Sequence, residues 1–157
     1  MLIRVDDPTA PYVADLLTLH LHELQGAMAG HAFALDAVGL SAENVTFWTA
    51  WDGDALLGFG ALKQLDDTHG EVKSMRVAPA ARGKGVGRAI LAHIIGEAHQ
   101  RGYSRLSLET GTAPLHAPAI SLYRSVGFAS CSAFADYRPS PHNQFFCLDL
   151  AGGSTGF

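Results

Sequence analysis

A single α/β (α+β) domain, one mostly antiparallel sheet flanked by helices, is the fold class that this 157-residue sequence predicts. Three observations carry it. β-rich runs follow one another between Val45 and Val77 with a turn signal between the first two, which reads as an antiparallel meander. A long amphipathic helix comes next, over Gly85 to Arg101. A strand, a short helix and two closing strands then bring the chain to Leu150. Residues 1–150 are expected to form one domain and 151–157 a flexible tail.

Leu2 to Val5 reads as a short first strand. Pro11 to Met28 carries Val13, Leu16, Leu17, Leu21 and Leu24 at helical period, with Gly26 and Gly30 to end it. Residues 31–44 hold Phe33, Leu35, Val38 and Leu40, which suit a short second helix or a packed loop equally. Val45 to Trp51 is rich in β-formers, Asp52-Gly53-Asp54 is a turn, and Ala55 to Leu65 is the return strand. Gly70 to Val77 is a further strand. In the long helix Val86, Ile90, Ile94 and Ala98 form one stripe, widened by Leu91 and Ile95, and Gly102 terminates it. Arg105 to Thr110 alternates as a strand. Pro118 to Val126 is a short helix with proline in its first turn, and Phe128 to Phe134 and Gln144 to Leu150 are closing strands.

The formal net charge is −4 with a pI near 6.0, and the basic residues gather in one loop rather than a broad stripe, which argues against nucleic-acid binding. No run reaches the roughly 18 apolar residues of a membrane span, and the N-terminus does not read as a signal peptide. Cys131 and Cys147 lack metal or disulfide spacing and read as buried thiols in a reducing cytoplasm, at positions a terminal hairpin could bring together.

That loop is the most informative segment. Met75-Arg76-Val77 ends a strand, Pro79 marks a turn, and Arg82-Gly83-Lys84-Gly85-Val86-Gly87-Arg88 leads into the long helix. Glycines let several backbone N–H groups point at one spot, the helix N-terminus adds its unpaired donors and positive dipole end, and Arg82, Lys84 and Arg88 add charge. The product is a phosphate or pyrophosphate pocket. A Walker loop needs Ser or Thr after its lysine, whereas Gly85 follows Lys84. A dinucleotide fingerprint needs a glycine where Arg88 stands.

Arg82 to Gly87 fits the pattern Arg/Gln-x-x-Gly-x-Gly/Ala, and here the chain resembles the Gcn5-related N-acetyltransferase (GNAT) superfamily. A second segment, His116 to Phe128, resembles that family's Asn-x-x-Ala-x-x-Leu-Tyr-x-x-x-Gly-Phe signature through Ala119, Leu122, Tyr123, Gly127 and Phe128. His116 stands where the family has Asn. Leu108-Glu109-Thr110-Gly111 is shared with a subgroup of small bacterial members. The resemblance implies a sheet splayed between its fourth and fifth strands, with acetyl-coenzyme A entering the gap. It implies that Arg82, Gly83, Lys84, Gly85, Val86, Gly87 and Arg88 hold the pyrophosphate. Backbone atoms of Met75, Arg76 and Val77 would meet the pantetheine, and His116, Ala119 and Tyr123 would complete the coenzyme site.

Acetyl transfer to an amine requires a deprotonated nitrogen, a polarised carbonyl and a proton for the departing thiolate. Tyr123 is expected to donate that proton, because a phenol stays protonated at neutral pH. Glu71 is the expected base, with His69 and Glu109 as alternatives. A backbone N–H of the fourth strand, from Met75 or Val77, would meet the oxyanion. His20, His22, Glu23 and His31 lie on or after the first helix, which the resemblance places over the acceptor; their spacing requires no metal. Trp48 and Trp51 read as strand packing. The polar loop Phe134 to Asn143, with Asp136, Tyr137 and Arg138, serves equally well to close over an acceptor or to join two copies as a homodimer. The reading is a cytoplasmic N-acetyltransferase of small-molecule amines. Its rivals are a non-catalytic coenzyme-binding module, transfer to a protein amine, and a nucleotide-dependent enzyme.

Overall fold

The computed structural model describes residues 1–28 and 37–150, with side chains left aside for 24–28. Gly30, His31, Phe33, Leu35 and the tail 151–157 therefore lie outside the described residues.

One seven-stranded sheet runs in the order β1-β2-β3-β4-β5-β7-β6. Its strands are β1 (Leu2–Val5), β2 (Val45–Asp52), β3 (Ala55–Gln64), β4 (His69–Val77), β5 (Arg105–Gly111), β6 (Ala129–Ser130) and β7 (Asn143–Asp149). The helices are α1 (Pro11–Met28), α2 (Ala37–Leu40), α3 (Val86–Gln100) and α4 (Ala117–Ser125). Every neighbouring pair is antiparallel except β4 and β5, which are parallel and joined by the α3 crossover.

Alternation along the strands sorts the core into two layers. Trp48, Leu62, Val72, Leu106 and Leu108 face α3, whose Ile90, Leu91 and Ile94 are each at most 1% exposed. Phe47, Phe59 and Ala61 face the other way, onto Val13, Leu16 and Leu17 of α1 and Leu40 of α2. Each such buried aliphatic or phenyl group contributes about 1.5–3 kcal/mol. Trp48 packs edge-on against His93, and the Trp51 indole donates to Thr49 and meets Tyr12, so both indoles are used in packing.

The expected strand over Phe128 to Phe134 shrinks to Ala129–Ser130. Past Cys131, whose N–H bonds the Phe145 carbonyl, the chain leaves the ladder and Phe134 turns in to stack with Tyr137, Phe145 and His69. Ala135 follows in a left-handed conformation, with φ of 51°. Burying this aromatic cluster outweighs another few ladder bonds. The thiols of Cys131 and Cys147 do meet across the β6–β7 hairpin, hydrogen-bonded to each other, but are half-buried rather than buried.

The site is positioned by what β4 does halfway along. Its ladder with β5 covers only His69, Gly70 and Glu71, opposite Arg105, Leu106 and Ser107. At Ser74, with φ of 51°, the β3–β4 register slips, so Phe59 pairs with Arg76 but Ala61 with Lys73. A bulge of this kind bends a strand and re-aims the residues beyond it. From there β4 and β5 diverge, and the backbone of Met75 to Val77 on the β5 side has no strand partner.

Candidate active site

A cavity of about 640 Å³ opens where β4 and β5 part. One end is the loop before α3: Arg82, Gly83, Gly85, Val86, Gly87 and Arg88 all line it. Gly83 and Gly85 have φ of +77° and +81°, the left-handed region that suits glycine, and a Cβ on either would meet nothing within 4 Å. Their backbones therefore face open space at the first turn of α3. Gly87 lets that turn close on Leu122 and Val77, 3.3 and 3.4 Å from where its Cβ would be. Arg88 is steadied by Ser125, whose Oγ accepts from it at 2.9 Å. Lys84 is not part of the wall.

Met75, Arg76 and Val77 form the β4 wall, and Pro118, Ala119 and Leu122 of α4 face them. Tyr123 lies one residue beyond this wall, 8% exposed and packed against Phe128, with ring centroids 5.9 Å apart. Burial pushes its phenol up to about 12, so it is protonated at neutral pH.

Two histidines also line the cavity. His20 on α1 and His116 before α4 are each 7% exposed, and the Nε2 atom of each is buried without a hydrogen-bond partner. Burial lowers both pKa values, His20 to about 4 with help from the Arg76 charge, so both rings are neutral. Glu23 shares the His20 face of α1, in keeping with its spacing, and takes the Arg76 guanidinium in a two-pronged ion pair at 2.6 and 3.1 Å. His22 is exposed.

Glu71 is neither solvent-exposed nor alone. It is 2% exposed, accepts the Tyr137 hydroxyl at 2.5 Å and lies 3.3 Å from Lys73 Nζ, which itself donates to the Tyr137 oxygen at 2.6 Å. Burial and the Glu71 charge push the Tyr137 phenol far up. His69 shares this side of the sheet, as alternation predicts, and its Nε2 is 2.6 Å from Ser107 Oγ. Glu109 stands beside the group with its carboxyl pushed up to about 7 by burial. Sequence reasoning missed Lys73. The signal was present: two charges two residues apart in a central strand share one face, and buried charges come paired. Tyr137 belongs to the loop considered for acceptor closure, and the structure brings it under the sheet to Glu71. Among the described residues no group of three or more His, Cys, Asp or Glu is placed to hold a metal ion.

These features fit an elongated phosphate-bearing ligand with an amide arm. Glycine backbones and arginines line the cavity together with a strand edge that has no strand partner, and His20 and His116, whose Nε2 atoms are orphaned, line it too.

The acetyltransferase (GNAT) family model matches residues 11–128. The sequence is 46% identical over 153 residues to YsnE of Bacillus subtilis, an uncharacterized N-acetyltransferase, covering 96% of this chain and all of that protein. A proposed acyl-CoA N-acyltransferase from Klebsiella pneumoniae superposes with a TM-score of 0.80 at 29% identity, over 95% of this chain and 97% of that one. A Bacillus subtilis acetyltransferase solved in complex with CoA shares the fold, with a TM-score of 0.70 at 24% identity over 94% and 97% of the chains. The chain belongs to the GNAT family. It is an acetyl-CoA-dependent acyltransferase.

Proposed function

We propose that this chain acetylates the primary amine of a small molecule by direct attack within a ternary complex, with no acyl-enzyme. The observation that carries the reading is the cavity lined by the glycine loop, by the part of β4 that has no partner on β5, and by His20, Glu23 and His116. Backbone N–H groups of 83–88, with Arg82 and Arg88, would hold the pyrophosphate, and Lys84 would add charge from outside the wall. Met75, Arg76 and Val77 would bond the pantetheine amides through their backbones, with His116 and Ala119 opposite.

Acetyl-CoA supplies an activated thioester carbonyl. Around it, a β4 N–H from Met75 or Val77 polarises the oxygen. The Tyr123 hydroxyl, protonated at neutral pH, gives its proton to the departing sulfur. Glu71 and Glu109 are the carboxyls beside the gap from which the base is drawn. The reading includes a cytoplasmic location and a homodimer; the short outer strand β6, at the sheet edge, is the surface that supports pairing of copies, and light scattering would test it.

Thermal unfolding with acetyl-CoA, ATP or NAD is the first test. A ligand at a hundred times its Kd adds about 2.7 kcal/mol, a rise of roughly 5–10 °C for a domain of this size. A rise with acetyl-CoA alone, followed by saturable thiol release with amines, is the expected result. A rise without turnover on any small amine would point to a binding module or a protein acceptor. A rise with ATP or NAD instead would remove the reading.

A further inference from the structure

Two carboxyls flank the start of the β4–β5 gap, and their surroundings differ. Glu71 is committed within the network: its Oε2 takes the Tyr137 hydroxyl and faces Lys73, and Lys73 is tied to Tyr137 in turn. Glu109 is two residues past Ser107, the last β5 residue paired with β4. It therefore projects from the same face of the sheet as Ser107 and Glu71, but where the strands have already parted. Its Oε2 is buried and has no hydrogen-bond partner. Such an oxygen is costly to bury unless a proton or a ligand donor meets it.

We propose that Glu109, not Glu71, receives the proton of the acceptor's ammonium group, and that Glu71, Lys73 and Tyr137 are positioning residues that set its charge. This rests on the amine-acetylation reading above and names the residue that acts on the acceptor, a cationic primary amine. The ammonium N–H meets Oε2, and its proton passes to the carboxylate. The freed lone pair attacks the thioester carbon, the C–N bond forms and the C–S bond breaks. The second nitrogen proton makes up, through Tyr123, the one delivered to the thiolate. Glu109 returns its own proton to solvent after product leaves.

The charged and polar groups facing Glu109 are Lys73 and Glu71 from β4, Tyr137 from the 134–143 loop and Asn143 from β7. Burial comes first in raising its pKa, Glu71 adds to it, and Asn143 and Lys73 oppose. The balance near 7 leaves it divided between both forms at neutral pH, where a base works best. Removing the Glu71 charge must therefore move the Glu109 titration to lower pH.

The test compares wild type, Glu109→Gln, Glu109→Asp and Glu71→Gln. Thiol release from acetyl-CoA is followed across pH with a panel of monoamines, diamines, amino acids and aminoglycosides. Carboxyl titration is read by infrared difference spectroscopy on the protein without acceptor. The proposal expects an ascending limb near pH 7 in wild type and a carboxyl signal at that pH missing from Glu109→Gln. In that variant kcat/KM falls by about 10²–10⁴-fold, the limb disappears, and acetyl-CoA still raises the melting temperature. Glu109→Asp should keep the limb at reduced rate, and Glu71→Gln should shift it to lower pH. Glu109→Gln within threefold of wild type with its limb intact overturns the proposal alone, as does a limb lost only in Glu71→Gln. A wild type that binds acetyl-CoA yet acetylates no amine overturns the amine reading, and this proposal with it.

Discussion

Gly111→Ala tests the cavity at one atom. Gly111 ends β5 beneath His116, and a Cβ there would lie 2.3 Å from His116 Nε2 and 2.5 Å from its Cδ2. Carbon contacts are comfortable near 3.5 Å, so the ring must withdraw by roughly 1 Å. The backbone need not move: Gly111 keeps its pairing with Asn143, and its carbonyl keeps the Gln144 amide at 3.0 Å. Because Nε2 has no partner and His116 lines the cavity, the ring can yield into open space. Stability should fall by only about 1 kcal/mol, the low end for overpacking. On the proposed reading the displaced ring takes room needed by the coenzyme arm, so the Kd for acetyl-CoA should rise about tenfold, or about 1.4 kcal/mol. Calorimetric titration and urea unfolding measure the two effects. Adding His116→Ala removes the colliding group, and the double variant should bind like His116→Ala alone, a coupling of about 1.4 kcal/mol. Wild-type affinity in Gly111→Ala, or no coupling, would refute the placement of His116 against the ligand.

Tyr123→Phe should lower kcat by about ten-fold or more while acetyl-CoA affinity holds; turnover at the wild-type rate would remove the acid assignment. His20 takes a proton only near pH 4 when folded but near 6.5 when unfolded. The unfolded chain thus binds more protons in between, and stability on the order of 3 kcal/mol, present above 6.5, is lost as pH falls to 4. Urea unfolding of His20→Gln across that window should show a shallower fall. Glu109 has the opposite sign: unfolded it ionises near 4.5, folded near 7. Its favourable term is present below 4.5 and declines as pH rises through 7, by about 2 kcal/mol after allowance for partial exposure, and Glu109→Gln should flatten that decline. Gly58→Ala would place a Cβ 2.4 Å from the Arg76 carbonyl oxygen, a backbone atom that cannot turn aside. It should cost about 1–3 kcal/mol, read as a lower melting temperature, and weaken acetyl-CoA binding by shifting β4.

Much of the architecture was legible because it is written in local periods. The stripe Val86, Ile90, Ile94, Ala98 specifies α3 by spacing alone, and Gly83 and Gly85 announce a loop whose φ values only glycine accepts readily. The closing strand over Phe128 to Phe134 misled for the same reason. Of its residues only the terminal Phe128 and Phe134 are strong β-formers, and Phe134 packs with Tyr137 and Phe145 instead of joining the ladder.

The polar cluster depended on partners far apart in sequence. Glu71 reads alone as a strand-end carboxylate, and only the fold brings Tyr137 to it from 66 residues away. His20 and His116 meet one cavity from distant parts of the chain, and burial, not composition, favours their neutral forms. The sequence by itself determined the family, most of the elements and the glycine loop before α3, since each rests on short-range spacing and backbone preference. The tertiary structure alone decided which charges are buried, which are paired, and which oxygen is left open at the strand gap. Desolvation and Coulomb terms depend on distance in space, and no spacing along the chain encodes that.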